Sequence, residues 1–174
     1  MSKPEDYKGQ TPAWCMGCGN FGILNAFKAA VLELGIEPHQ FTIVSGIGQA
    51  GKFPHYLKCN TFNGLHGRTL PVATGIRLAN HEMLTIAVSG DGDCYGEGGN
   101  HLMHAMRRNV NVKLFVHDNQ IYGLTKGQAS PTSPEGMITK NQPFGVFSEQ
   151  LNPIALAVAL DCSFAARGFA GDME

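Results

Sequence analysis

Two short runs of nearly unbroken apolar residues stand out along the chain: Leu-Thr-Ile-Ala-Val-Ser at 84–89 and Val-Lys-Leu-Phe-Val-His at 112–117. Their β-branched content and length predict strands buried on both faces, as in a parallel sheet. Between them, residues 97–108 place Leu102, Ala105 and Met106 at helical spacing. This stretch ends on Arg107-Arg108, suited to the negative end of a helix dipole. The unit is strand, helix, strand, so the two strands run parallel and, if neighbours, lie about 5 Å apart. Upstream, residues 20–34 carry the apolar stripe Ile23, Phe27, Val31 and Leu34 and stop at Gly35, which predicts an amphipathic helix. Residues 41–45 predict a strand, an irregular region follows to Pro71, and 72–80 predict a helix. A loop rich in Gly, Pro, Ser and Thr then runs from Asn119 to Ser148, a length typical of lids and partner contacts. Asn152-Pro153 supplies an N-cap and first-turn proline for a helix over 154–160, and 163–167 predict one more strand. The pattern is that of an α/β fold, a parallel sheet flanked by helices.

A length of 174 residues with 43% hydrophobic content supports one core, so residues 1–174 are read as a single domain. The net charge of −1 gives no basic footprint for nucleic acid. No apolar stretch has the length of a membrane span, and the N-terminus lacks a signal-peptide apolar region. Five cysteines, two of them close together, favour a reducing compartment and metal chemistry over disulfides, with the cytoplasm as the expected location.

The candidate chemistry lies at the ends of the two apolar runs. Gly90-Asp91-Gly92-Asp93 closes the first and Asp118-Asn119 closes the second. The carboxyl ends of parallel strands share the edge where open α/β sheets bind ligands. A carboxylate (Asp91), an amide oxygen (Asn119) and a backbone carbonyl near Ile121 form an all-oxygen set. Such a set suits Mg²⁺ held jointly with phosphate oxygens of a ligand. The plainer reading of Gly-Asp-Gly is a turn after a strand. Cys15-x-x-Cys18 has the spacing for two thiolates on one metal, and by itself leaves zinc, an iron–sulfur cluster and a redox disulfide open. Cys94 and Cys162 read as small buried hydrophobes. The chain shows no G-x-S-x-G nucleophile elbow and no paired acid–base carboxylates; Glu82, Glu97 and Glu149 are isolated and receive no role.

Gly90-Asp91-Gly92, followed after the 25 residues 93–117 by Asp118-Asn119, is similar to the motif of thiamine diphosphate enzymes. Four further segments narrow the likeness: Cys15-Met16-Gly17-Cys18-Gly19-Asn20, Ser45-Gly46-Ile47-Gly48, Leu65-His66-Gly67-Arg68, and the run from Asn119 to Thr125. Together they resemble the beta subunit of 2-oxoacid:ferredoxin oxidoreductases, from about Trp14 to Gly168. The resemblance implies a thiamine diphosphate-binding domain that uses Asp91, Asn119 and the Ile121 carbonyl for Mg²⁺. It further implies that Ile47, Gly48, Gln49 and Ala50 lie beside the cofactor, with Gly92, Asp93, Gly123 and Leu124 around its diphosphate and centre. His66 would face the thiazolium end as a catalytic contact. From its own chemistry Arg68 is a candidate for a carboxylate or a neighbouring subunit, and Lys52 for a substrate carboxylate or coenzyme A.

The resemblance also implies a [4Fe–4S] cluster with Cys15 and Cys18 as two ligands. Gln49 stands where many relatives have a third cysteine, Cys59 is a possible substitute off the family position, and the fourth falls beyond Glu174. A C-terminally truncated domain is therefore expected. The implied reaction is coenzyme A-dependent oxidative decarboxylation of a 2-oxoacid, 2-oxoglutarate before pyruvate, with electrons leaving to ferredoxin. Thiamine chemistry requires an activating glutamate that this chain lacks, so an alpha subunit is the expected partner. The alternatives are a non-redox thiamine enzyme, which has no use for Cys15 and Cys18, and a catalytically silent cluster-binding scaffold.

Overall fold

The computed structural model describes residues 3–172. Four strands make the main sheet: β1 (Phe41–Ser45), β2 (Asn60–Asn63), β3 (Leu84–Gly90) and β4 (Lys113–His117). Their spatial order is β2-β1-β3-β4 and every neighbouring pair is parallel. Helices α1 (Gly19–Glu33), α2 (Thr69–Ala79) and α3 (Gly99–Arg108) flank the sheet. A long loop carries the antiparallel two-residue strands β5 (Ile121–Tyr122) and β6 (Gln128–Ala129) before α4 (Pro153–Ala159). The expected α/β class is borne out.

Successive residues of a strand face opposite sides of the sheet. Ile43, Ile86 and Val88 therefore join Tyr7, Trp14, Leu24 and Val31 in one core layer. Val44 and Ala87 join Leu70, Ala73 and Leu102 in the other. Because both faces of β1 and β3 are covered, their sequences read as continuous apolar runs. The chain leaves β1 for β2 on one side and returns to β3 on the other. The crevice between the carboxyl ends of β1 and β3 is thus a topological switch point, the usual ligand position in such sheets.

Four expectations need correction. The region up to Pro71 is not irregular throughout: it holds a 3₁₀ turn (Ala50–Tyr56) and the edge strand β2. Strand β2 has one apolar residue, Phe62, and is exposed along its length, so periodicity carries no trace of it. Its ends are pinned instead by amide side chains, Asn60 Nδ2 donating to the Phe41 carbonyl (3.2 Å) and Asn63 Nδ2 to Ser45 Oγ (2.7 Å). Helix α2 starts at Thr69, placing Pro71 in its first turn, where the missing N–H has no intrahelical partner to lose. Leu34 is 71% exposed because it caps α1, and Gly35 (φ +65°) turns the chain so that Ile36 packs on the core instead. Residues 163–167 form no strand: the segment lies outside the four-stranded sheet, Phe164 is exposed, and without a neighbour there is no ladder to hold it extended. The expected cap of α4 is present, Ala155 N–H donating to Asn152 Oδ1 at 3.0 Å. No helix among the described residues is long and apolar enough to cross a membrane.

Candidate active site

Gly90, the last residue of β3, pairs in register with His117, the last residue of β4. Asp91 and Asp118 therefore leave two neighbouring strands side by side. Asp91 is 2% exposed, and Thr132 Oγ1 lies 2.9 Å from its Oδ2 and 2.8 Å from Asp118 Oδ1. After Asp118 the chain turns sharply: Gln120 is left-handed (φ +61°), and Asn119 Oδ1 accepts from the Ile121 N–H at 3.3 Å. Burial pushes the Asp91 acid above the usual carboxylate range, and the charge of Asp118 adds to this. Hydrogen bonds from Ser130, Thr132 and the Gly92 backbone oppose it. A desolvated carboxylate beside a second one, next to an amide and a backbone carbonyl, is an oxygen donor set that gains from a hard cation. It fits Mg²⁺.

Asp93 behaves differently from Asp91. The resemblance puts Asp93 with Gly92 around the diphosphate; its carboxylate is 3% exposed and meets five polar groups of the chain. Oδ1 accepts from Gly67 N–H (2.7 Å) and Ile47 N–H (3.2 Å) and lies 2.5 Å from His66 Nδ1. Oδ2 accepts from Ser89 Oγ and from Thr69 Oγ1 (3.3 Å). These groups come from the ends of β1 and β3, the loop before α2 and the first residue of α2, so one side chain ties the switch-point crevice together. A Cβ on Gly46 would fall on this carboxylate, which is why no side chain fits there. The physical reason for the split roles is helical: Asp91 and Asp93 lie on one turn leading into the π-helical stretch Gly92–Glu97. Two steps along such a turn put side chains on roughly opposite sides.

His66 stands over this hub with its side chain 40% exposed; with Nδ1 committed to Asp93, Nε2 is the nitrogen available to a ligand. Glu97, assigned no role from sequence, belongs to the same cluster. Its Oε2 lies 3.0 Å from Tyr122 Oη and 3.7 Å from His66 Nδ1. Tyr122 Oη also lies 3.2 Å from the Gly92 carbonyl, and the ring fills the space that a Cβ on Gly92 would need. Burial and Glu97 raise the Tyr122 phenol, so it acts as a donor.

The other expected residues are spread around this edge. Ile47, Gly48, Gln49 and Ala50 form the turn after β1, with Ile47 37% exposed and Ala50 buried at the start of the 3₁₀ turn. Gly123 and Leu124 follow β5, Leu124 being 53% exposed. Arg68 is turned to His101, and Lys52 is half-buried with its backbone N–H donating to the Gln49 carbonyl.

Cys15 is exposed and Cys18 is half-buried, capping α1. Two contacts dock this arm onto the site: Trp14 Nε1 donates to the Gln49 carbonyl (2.9 Å), and His117 Nδ1 lies 2.8 Å from Asn20 Oδ1. Burial lowers His117 to about 4, so its ring is neutral. Among the described residues no third Cys, His, Asp or Glu gathers with Cys15 and Cys18 into a metal-holding group, whereas a [4Fe–4S] cluster takes four ligands. The donor set of this chain alone does not fit the cluster.

Burial pushes the thiols of Cys59 and Cys94 up to about 12, and both should resist alkylation at pH 8 while exposed Cys15 reacts. Peptide mass mapping after brief iodoacetamide treatment checks this; Cys94 labelled ahead of Cys15 would contradict the placement.

Sequence reasoning missed Ser130, Thr132, Ser133, Tyr122 and Glu97. The first three sit in Ser-Pro-Thr-Ser-Pro, which reads as loop punctuation. Nothing in such a run reveals that its hydroxyls are buried.

With the geometry in hand, comparison with known proteins is decisive at the family level. The model of the thiamine pyrophosphate enzymes' C-terminal TPP binding domain matches residues 42–173. The "2-oxoacid:ferredoxin oxidoreductase 2, subunit beta" of Aeropyrum pernix is 48% identical over 166 residues, covering 95% of this chain and 54% of that protein. The "2-oxoglutarate oxidoreductase subunit KorB" of Mycobacterium tuberculosis is 44% identical, covering 94% of this chain and 44% of its own. A solved 2-oxoglutarate:ferredoxin oxidoreductase from Magnetococcus marinus, with 2-oxoglutarate, coenzyme A and succinyl-CoA bound, superposes with a TM-score of 0.95 at 40% identity. That match covers 99% of this chain and 60% of that one. The chain spans about half the length of the sequence relatives it matches. It belongs to the thiamine pyrophosphate enzymes, through their C-terminal TPP-binding domain, and its relatives there are beta subunits of 2-oxoacid:ferredoxin oxidoreductases.

Proposed function

We propose that this chain is the thiamine diphosphate- and Mg²⁺-binding part of a 2-oxoacid:ferredoxin oxidoreductase beta subunit. One observation carries the reading: Asp91 and the Asp118–Asn119 turn meet at the ends of adjacent parallel strands, joined by Thr132. In this assignment Asp91, Asn119 and the Ile121 carbonyl hold the cation, which anchors the diphosphate. Thiamine diphosphate, when bound, would supply a nucleophilic carbon and an electron sink for decarboxylation. The chain's own residues bind and orient. Asp93 fixes the turn after β1 against the loop that bears His66, and it sets the His66 tautomer so that Nε2 faces a ligand. Tyr122 and Glu97 close the cluster behind it.

The overall reaction in this reading converts a 2-oxoacid, coenzyme A and two oxidised one-electron ferredoxins to acyl-CoA, carbon dioxide, two reduced ferredoxins and a proton. The substrate is 2-oxoglutarate in preference to pyruvate, in keeping with the relatives' names. An alpha subunit supplies the activating glutamate, and the assembly is cytoplasmic. No electron step is routed through Cys15 and Cys18, because their donor set is incomplete here.

The test is purification of the full chain with its partner subunit, then an assay against a panel of 2-oxoacids with a low-potential dye. Dye reduction that requires coenzyme A and is fastest with 2-oxoglutarate is expected. Carbon dioxide release without dye reduction would transfer the assignment to the non-redox reading.

A further inference from the structure

We propose that the buried bend at residues 130–133 orients both halves of the metal site from behind, with Thr132 and Ser133 as its positioning residues. The inference rests on the Mg²⁺ reading above and assigns work to a segment that no sequence motif of that reading includes.

The bend reaches each half by a separate hydroxyl. Thr132, 2% exposed, sets its Oγ1 2.9 Å from Asp91 Oδ2 and 2.8 Å from Asp118 Oδ1. A threonine hydroxyl has one proton, so it donates to one carboxylate at a time. The pair of acids is left short of positive charge, and Asp91 Oδ2 is held in place. Ser133, also 2% exposed, donates from Oγ to the Gln120 carbonyl at 2.6 Å. Gln120 is the left-handed residue (φ +61°) between Asn119 and Ile121, the two other candidate ligands. A non-glycine residue holds that conformation only when its surroundings enforce it. The Ser133 bond is such an enforcement, and it fixes the corner that aims Asn119 and the Ile121 carbonyl.

The bend itself is rigid. The Ser130 N–H donates to Ser133 Oγ at 2.8 Å and the Thr132 N–H to Ser130 Oγ at 3.3 Å, which satisfies its polar groups internally. From outside, the Leu151 N–H donates to the Pro131 carbonyl (2.8 Å) and Gln150 Nε2 to the Thr132 carbonyl. Prolines on either side of Thr132 and Ser133 remove backbone freedom before folding. Groups that orient metal ligands typically change metal affinity 10–100-fold when removed.

Thr132→Val keeps the shape and removes the hydroxyl; Thr132→Ser restores it; Ser133→Ala releases the Gln120 corner. Thiamine diphosphate binding to the full chain with its partner subunit is measured by calorimetry across a Mg²⁺ series, with ligand-free melting temperature as the fold control. The expected result is a Mg²⁺ requirement raised about 10–100-fold in Thr132→Val and Ser133→Ala. Thr132→Ser should stay near the parent, and saturating Mg²⁺ should return cofactor affinity in all variants. A general packing defect would not be rescued by metal. If Thr132→Val does not fold, Ser133→Ala decides. An unchanged Mg²⁺ requirement in a folded variant overturns the inference alone. Absence of Mg²⁺-dependent cofactor binding in the parent protein overturns the metal reading beneath it, and the inference with it.

Discussion

Replacing Asp93 by alanine should cost roughly 3–5 kcal/mol of folding stability, a large share of the 5–15 kcal/mol typical of a domain. The side chain is 3% exposed and accepts from Ser89, Thr69, Gly67 and Ile47 besides its contact with His66. Its removal strands several buried donors at once, each costing about 1–3 kcal/mol when water cannot reach it. Part of that cost is recovered if water enters the hole, so the sum is not simply additive. Asp93→Asn, which keeps one acceptor oxygen, should lose less. Urea titration followed by circular dichroism measures both. An alanine variant within about 0.5 kcal/mol of the parent, the range of an ordinary surface change, would remove Asp93 from its role as hub.

The neighbouring carboxylate should show the opposite profile. Asp91→Asn should leave ligand-free stability near or above that of the parent, because burial and the Asp118 charge already disfavour the ionised Asp91. What it should lose is stabilisation by ligand. With Mg²⁺ and thiamine diphosphate at 100 times their dissociation constant, the parent gains about 2.7 kcal/mol. The variant should gain close to nothing, visible as a flat melting temperature across the same titration. Retention of the full ligand-induced shift would take Asp91 out of the metal shell. Two acids separated by one glycine are thus separable by experiment, one serving the fold and one the ligand.

Their separation shows where sequence reading reaches its end. Gly90-Asp91-Gly92-Asp93 marks a candidate site only together with Asp118-Asn119, since a glycine-acid turn after a strand is common by itself. It does not say which acid meets Thr132 beside Asp118 and which ties the surrounding loops together, since both are buried. That follows from the π-helical turn Gly92–Glu97, whose widened winding depends on packing against Tyr122 and Gly67 from other parts of the chain. Glu97 likewise has no recognisable partner until β5 carries Tyr122 beside it. The cysteine pair was legible as a metal-binding spacing, and Gln49 as a departure. Only the fold reveals that Trp14 and Asn20 tie that arm to Gln49 and His117.

The chain's own letters determined the parallel α/β class, the α1 and α4 boundaries within a residue or two, and the sheet edge that carries the candidate site. Those features rest on local periods and caps, which any short window contains. Tertiary structure alone decided that Asn60–Asn63 is a strand, that 163–167 is not, and that a proline-flanked loop buries hydroxyls under two carboxylates. Such outcomes depend on which distant segment supplies a hydrogen-bond partner, and the energy of a buried polar group is set by that partner rather than by its neighbours in sequence.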